Sequence, residues 1–154
     1  MDKEIGLEVI DKLVTLSLNE NNGVSFGGLI ERDILRQEAG LCLSGSEFSN
    51  DMNVKFNALG MRFLIDPIYR KNPIYHSNLQ LTKFTSNKPI KKDVITNNKN
   101  IGIITSSTKS FNLDKFIGLG YLEKKSLNEI CFNNGNIIQV HNGNFIETKY
   151  YKPS

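Results

Sequence analysis

Apolar residues keep one rhythm up to about residue 75 of this chain and another beyond it. Between residues 5 and 18, Ile5, Val9, Leu13 and Leu16 recur at three- and four-residue steps, with Ile10 and Val14 on the flanks, the pattern of an amphipathic helix. The helix is expected to end in Asn19-Glu20-Asn21-Asn22-Gly23, a run that supplies loop and left-handed backbone at little cost. A short strand over residues 24–26 then leads to Gly27-Gly28, where the chain can turn sharply. Residues 29–39 carry Ile30, Ile34 and Leu35 on one side and Glu31, Arg32, Gln37 and Glu38 around the rest, and Gly40 is placed to stop this second helix. Residues 41–50 read as a loop and 53–59 as a short helical turn. Residues 61–65 read as an apolar strand ended by Asp66-Pro67, because proline cannot continue a central ladder.

Beyond Tyr75, short apolar runs alternate with turn residues: 79–84, 94–96, 101–105, 116–122, 129–132, 137–140 and 145–150. Asn97-Asn98, Asn133-Asn134-Gly135 and Asn142-Gly143 lie between them, and the two Asn-Gly pairs are hairpin signals. The pattern predicts a small antiparallel barrel or sandwich. The boundary between the halves is expected between residues 73 and 79, giving parts 1–74 and 75–154.

Composition narrows the class without naming a chemistry. With 39% apolar and 23% charged residues the chain is globular, and 154 residues make one ordinary domain or two small ones. A net charge of +3 can be spread over the surface without a strong field. Lys83, Lys88, Lys91, Lys92 and Lys99 face a single acid, Asp93, and a solvated surface accounts for them. Basic and aromatic residues also interleave in Lys149-Tyr150-Tyr151-Lys152, but no wider basic stripe joins the two stretches, so no nucleic-acid partner is expected. Cys42 and Cys131 stand far apart, and His76 and His141 supply no close ligand spacing, so the thiols read as small buried residues and no metal is expected. The N-terminus has no apolar leader, and no stretch reaches the roughly 20 apolar residues of a spanning helix. The expectation is a cytoplasmic protein without a membrane partner.

The stretch Gly28-Leu29-Ile30-Glu31-Arg32-Asp33-Ile34-Leu35-Arg36-Gln37-Glu38-Ala39-Gly40-Leu41 resembles the signature G-L-G-A-R-D-x-L-R-L-E-A-G-L of the glycine cleavage T-proteins, the folate-dependent aminomethyltransferases. Ten of its thirteen specified letters match without a gap, and Cys42-Leu43-Ser44-Gly45 follows, close to the family's C-L-Y-G. A second block, Ile101-Gly102-Ile103-Ile104-Thr105-Ser106-Ser107, then Ser110, then Ile117-Gly118-Leu119-Gly120-Tyr121-Leu122, is similar to the family's I-G-x-V-T-S-G…S-P…I-A-L-G-Y-V. Departures are present too. Ile30 and Glu31 replace Gly-Ala, Phe111 replaces the proline after Ser110, Lys91 stands near a frequent arginine, and Tyr75 and His76 replace the start of an F-I-G-[KR] helix.

The resemblance implies an α+β chain: a partial folate-binding α/β region followed by a small antiparallel β-barrel. It implies tetrahydrofolate as cofactor and, as partners, the folate, a lipoylated H-protein, and a second copy or another subunit covering an apolar face left open. Glu38 takes the position of the acid that meets the pterin edge, where a carboxylate can accept two parallel hydrogen bonds; read by itself it is a helix-surface glutamate or a cap partner. Tyr121, between glycines, could face a folate channel or fill the barrel rim, and Arg70 with Lys71 could meet the glutamyl tail or lie in a surface loop. Arg32 and Asp33 read as structural, and Arg36 as part of the same network or an exposed charge. The family's catalytic aspartate lies in a half to which none of these residues corresponds, so the catalytic residues are unassigned. The expectation is an aminomethyltransferase-like, tetrahydrofolate-binding protein of one-carbon metabolism completed by a partner, or a non-catalytic folate-binding or interaction protein.

Overall fold

The computed structural model describes residues 3–18, 27–48, 56–59, 67–68, 77–143 and 145–146. The chain separates into two compact units, Met1–Arg32 and Asp33–Ser154, each taken by itself below. The boundary expected near residues 74–75, the strands expected over 24–26 and 61–65, Arg70 and His76 all lie outside the described residues.

In the first unit, helix α1 (Lys3–Ser17) follows the predicted periodicity. Its apolar residues Ile5, Val9, Leu13 and Leu16 are exposed. Lys12 reaches back one turn to Glu8 at 2.7 Å, an exposed pair of the kind that contributes a few tenths of a kcal/mol, roughly.

Helix α2 (Leu29–Glu38) runs into the second unit, where Arg36, Gln37 and Glu38 are buried. Gly40 ends it as foreseen, at a φ of 71°. The Leu41 N–H donates to Arg36 O and the Gly40 N–H to Gln37 O, the paired bonds of a Schellman stop that only a residue at ease in left-handed backbone supplies cheaply. A parallel bridge between Ser44 and Phe48 then closes a compact turn, and a 3₁₀ turn follows at Phe56–Leu59.

Six strands form a closed antiparallel barrel: β1 (Leu79–Ser86), β2 (Val94–Thr96), β3 (Asn100–Ser110), β4 (Lys115–Glu123), β5 (Cys131–Asn133) and β6 (Asn136–His141), in the spatial order β1-β4-β3-β2-β5-β6. Of the predicted hairpin turns, Asn134-Gly135 joins β5 to β6 with φ of 49° and 75°, the two positive values a type I′ turn requires. At the other Asn-Gly pair the chain leaves the barrel after β6, so 145–146 is not a strand; Phe145 instead packs on Ile117 and Leu119.

The interior holds Phe84, Ile95, Ile101, Ile104, Leu122, Cys131 and Ile138. Strand β4 is buried on both faces, because the outward side chains Ile117, Leu119 and Tyr121 are themselves covered, the first two by Leu113, Phe145 and Ile146 and the third by Ala58 and Leu59. Strand β3 runs well past the predicted 101–105. Its polar half extends as a strand because hydroxyls at Ser106 and Ser110 have buried partners, and those partners define the candidate site.

Candidate functional site

Two carboxylates from the segment that precedes the barrel enter its β3 side. The first, Glu47, sits in the turn closed by Gly45, whose φ is 85°. Its side chain is fully buried. Oε2 accepts from Arg36 Nη1 at 3.0 Å and from the Leu43 N–H at 2.8 Å. Oε1 accepts from Thr105 Oγ1 at 2.9 Å and from Ser106 Oγ. Four donors fill the roughly four acceptor positions a carboxylate offers. Tyr121 adds a fifth tie by donating its hydroxyl to the Glu47 backbone carbonyl.

Arg36 is equally committed. Its Nε donates to Asp33 at 2.6 Å, Nη1 also to Leu41 O at 3.0 Å, and Nη2 to Ser106 Oγ at 2.8 Å. The planar fork of arginine makes four directed bonds at once, which a lysine could not. Thr105 is brought into this set by an irregularity: Ile104 pairs with Gly120 and Ser106 with Leu119, leaving Thr105 as the extra residue of a β-bulge. The bulge turns the threonine outward, where its single hydroxyl proton lies between Glu47 and Leu119 O at 2.9 and 3.0 Å.

The second carboxylate is Glu38, 2% exposed. Oε1 accepts from Ser110 Oγ and Oε2 from Asn112 Nδ2 at 2.8 Å, both donors lying at the tip that joins β3 to β4. Among the described residues these two donors leave one acceptor position on each oxygen. Beside it, Gln37 donates Nε2 to Asp33 at 2.9 Å, and its buried Oε1 has no partner among the described residues.

Burial dominates the titration of the neighbouring groups. The Cys42 thiol is pushed up from 9.0 to about 11 by burial and then by Glu47, with Arg36 and Lys83 opposing. Burial, then Cys42 and Glu47, push the Tyr121 hydroxyl up. Burial lowers Lys83, with Cys42 opposing.

The structure therefore brings together Glu38, Arg36 and Asp33 around the end of α2, and places Tyr121 fully buried under Ala58 and Leu59, holding the Glu47 turn. Glu47 and Asn112 were not singled out from sequence. Glu47 is the only acid between residues 41 and 50, and that isolation in a small polar loop is the signal that could have found it. Among the described residues no group of three His, Cys, Asp or Glu could hold a metal, and no helix is long and apolar enough to cross a membrane.

A closed six-stranded barrel braced on its outer face by a helix end and a buried ion pair defines an α+β barrel protein. Residues 63–132 match the family described as the glycine cleavage T-protein C-terminal barrel domain. An aminomethyltransferase of Oceanobacillus iheyensis is 32% identical in an alignment of 123 residues that takes in 70% of this chain and 32% of the relative. The crystal structure of glycine cleavage system aminomethyltransferase T from Bartonella henselae shares the fold, with a TM-score of 0.73 and 22% identity over 94% of this chain and 46% of that one. The chain carries the C-terminal barrel domain of the glycine cleavage T-proteins and corresponds to the C-terminal part of that family. It spans 32% and 46% of the lengths of these two relatives.

Proposed function

We propose that this chain binds tetrahydrofolate in an aminomethyltransferase of one-carbon metabolism, with Glu38 meeting the pterin edge. The observation that carries this reading is the contrast between the two carboxylates. Glu47 has its four acceptor positions filled, whereas Glu38 is held by one donor on each oxygen among the described residues. A 2-amino-pterin offers two parallel N–H donors, and a carboxylate oriented beforehand binds such a pair with little loss of freedom. Because Glu38 is covered, the ligand reaches it only when the β3–β4 tip or the end of α2 shifts. Tyr121 contributes by holding the Glu47 turn, and Arg70 is the basic residue proposed for the glutamyl tail. In the full reaction a lipoylated H-protein would present the aminomethyl group, and folate positioning would supply rate through proximity.

Calorimetry with tetrahydrofolate tests the reading. Replacing a doubly hydrogen-bonded carboxylate costs about 2–3 kcal/mol, so Glu38→Gln should weaken binding by roughly 30- to 150-fold. No heat from the wild type at high folate concentration sinks the proposal. If binding is seen, a glycine cleavage assay with lipoylated H-protein separates the transferase from a non-catalytic folate binder.

A further inference from the structure

A buried polar atom without a hydrogen bond is rare in a folded chain, because nothing replaces the hydration it has lost. One such atom lies in the last turn of α2: Gln37 Oε1, on a residue 0% exposed, has no partner among the described residues. Turning the amide end for end does not relieve it. Gln37 Nε2 donates to Asp33 Oδ2 at 2.9 Å, and a carboxylate only accepts, so the flipped amide would set two acceptors against each other. The orphaned group is therefore the carbonyl oxygen. In the signature that this segment resembles, leucine stands at the position of Gln37, so such a helix end can be built without the polar atom.

The neighbouring residue is short of donors as well. Glu38 accepts from Ser110 and Asn112, which among the described residues leaves one acceptor position on each of its oxygens. The end of α2 thus collects buried acceptors in excess of donors, an environment that repels an anion and suits a ligand bringing N–H groups. Consecutive helix residues project about 100° apart, so Gln37 and Glu38 can approach one ligand group from two sides without competing for the same hydrogen. An amino group on a planar ring carries two hydrogens that point in different directions, and a carboxylate binding the ring edge uses one of them.

We propose that Gln37 is a specificity-determining residue of the folate site: its Oε1 accepts the second hydrogen of the ligand's 2-amino group, while Glu38 takes the first together with the neighbouring ring N–H. The inference rests on the reading of Glu38 given above and adds a third hydrogen bond to it. An unsubstituted amino group satisfies both residues. One that carries a methyl group keeps a single hydrogen for Glu38 and leaves Gln37 Oε1 facing carbon, and a site built around buried acceptors discriminates most strongly against a ligand that leaves one of them unpaired. The orphaned oxygen therefore weakens the ligand-free chain and sharpens selection in the complex.

The experiment is calorimetry on the 154-residue chain with tetrahydrofolate and with its 2-methylamino analogue, comparing the wild type, Gln37→Leu and the shape-matched Gln37→Met. The wild type should bind the analogue about five- to tenfold more weakly than tetrahydrofolate, and both variants should bind the two ligands within about twofold of each other. Without ligand, the variants should melt at or above the wild-type temperature, because removing the orphaned oxygen offsets the lost bond to the partly exposed Asp33. Lower melting with both ligands weakened by the same factor means that Gln37 acts on the fold alone and overturns the proposal, as does an undiminished preference for tetrahydrofolate in both variants. Absence of binding by the wild type removes the Glu38 reading and this one with it. Binding that Glu38→Gln weakens, but that the Gln37 variants leave unchanged in strength and preference, removes the assignment of Gln37 alone.

Discussion

Glu38 and Glu47 are the same residue type nine positions apart in sequence, and their donors separate their roles. Glu47 and Arg36 form an ion pair at 3.0 Å whose members are 0% and 8% exposed. Removing one partner leaves the other buried without compensation, at a cost of about 3–5 kcal/mol, whereas replacing both by apolar residues of similar volume costs much less. Urea denaturation of Glu47→Leu, Arg36→Met and the double variant should therefore show strong coupling, with the double variant more stable than the sum of the singles predicts. Additive losses would contradict a buried, mutually dependent pair.

Burial, and after it the same carboxylate, leaves a trace on Cys42. Its thiol titrates near 11 in the folded chain against 9.0 for an ordinary thiol. Between these values the unfolded chain has lost its proton while the folded chain keeps it, so this group's contribution to stability is full below pH 9 and falls as pH rises toward 11. Alkylation of native Cys42 by iodoacetamide, followed by peptide mapping, should be slow at pH 8 and climb with a midpoint near 11. A midpoint at the ordinary thiol value would show that neither burial nor Glu47 acts on it.

Among the elements, β4 shows how a strand buried on both faces must be built. A Cβ at Gly120 would stand 2.3 Å from Ile103 O, and backbone cannot swing aside as a side-chain tip can. Gly120→Ala should cost about 3 kcal/mol or more. At Gly45 a Cβ would meet nothing within 4 Å, although its φ is 85°, so Gly45→Ala pays only the strain of left-handed backbone, about 1 kcal/mol. Thermal melts of the two variants check the order.

Periodicity and turn chemistry made α1, α2, the Gly40 stop, β2 and the Asn134-Gly135 turn legible in the sequence, because each is governed by residues close along the chain. The polar half of β3 was not legible, since Thr105, Ser106 and Ser110 are strand residues only when Glu47 and Glu38 arrive from 58 or more positions away. The candidate site divided in the same way. The family signature singled out Glu38, while Glu47 and Asn112 carry no local pattern that ties them to it.

At the scale of the whole barrel, pairing is unevenly distributed. Strand β4 shares eight register pairs with β1 and eight with β3, whereas β6 shares three with β1 and three with β5. A hairpin held by so few ladder bonds opens at a lower free energy than the molecule unfolds, provided its interior side chains can leave singly. Ile138 is the deepest of these on β6, and Val140 is only partly buried. Native-state hydrogen exchange should accordingly show the amides of β6 exchanging through a sub-global opening, while those of β3 and β4 follow global unfolding. Uniform protection across all six strands would mean that β6 is held as firmly as the rest.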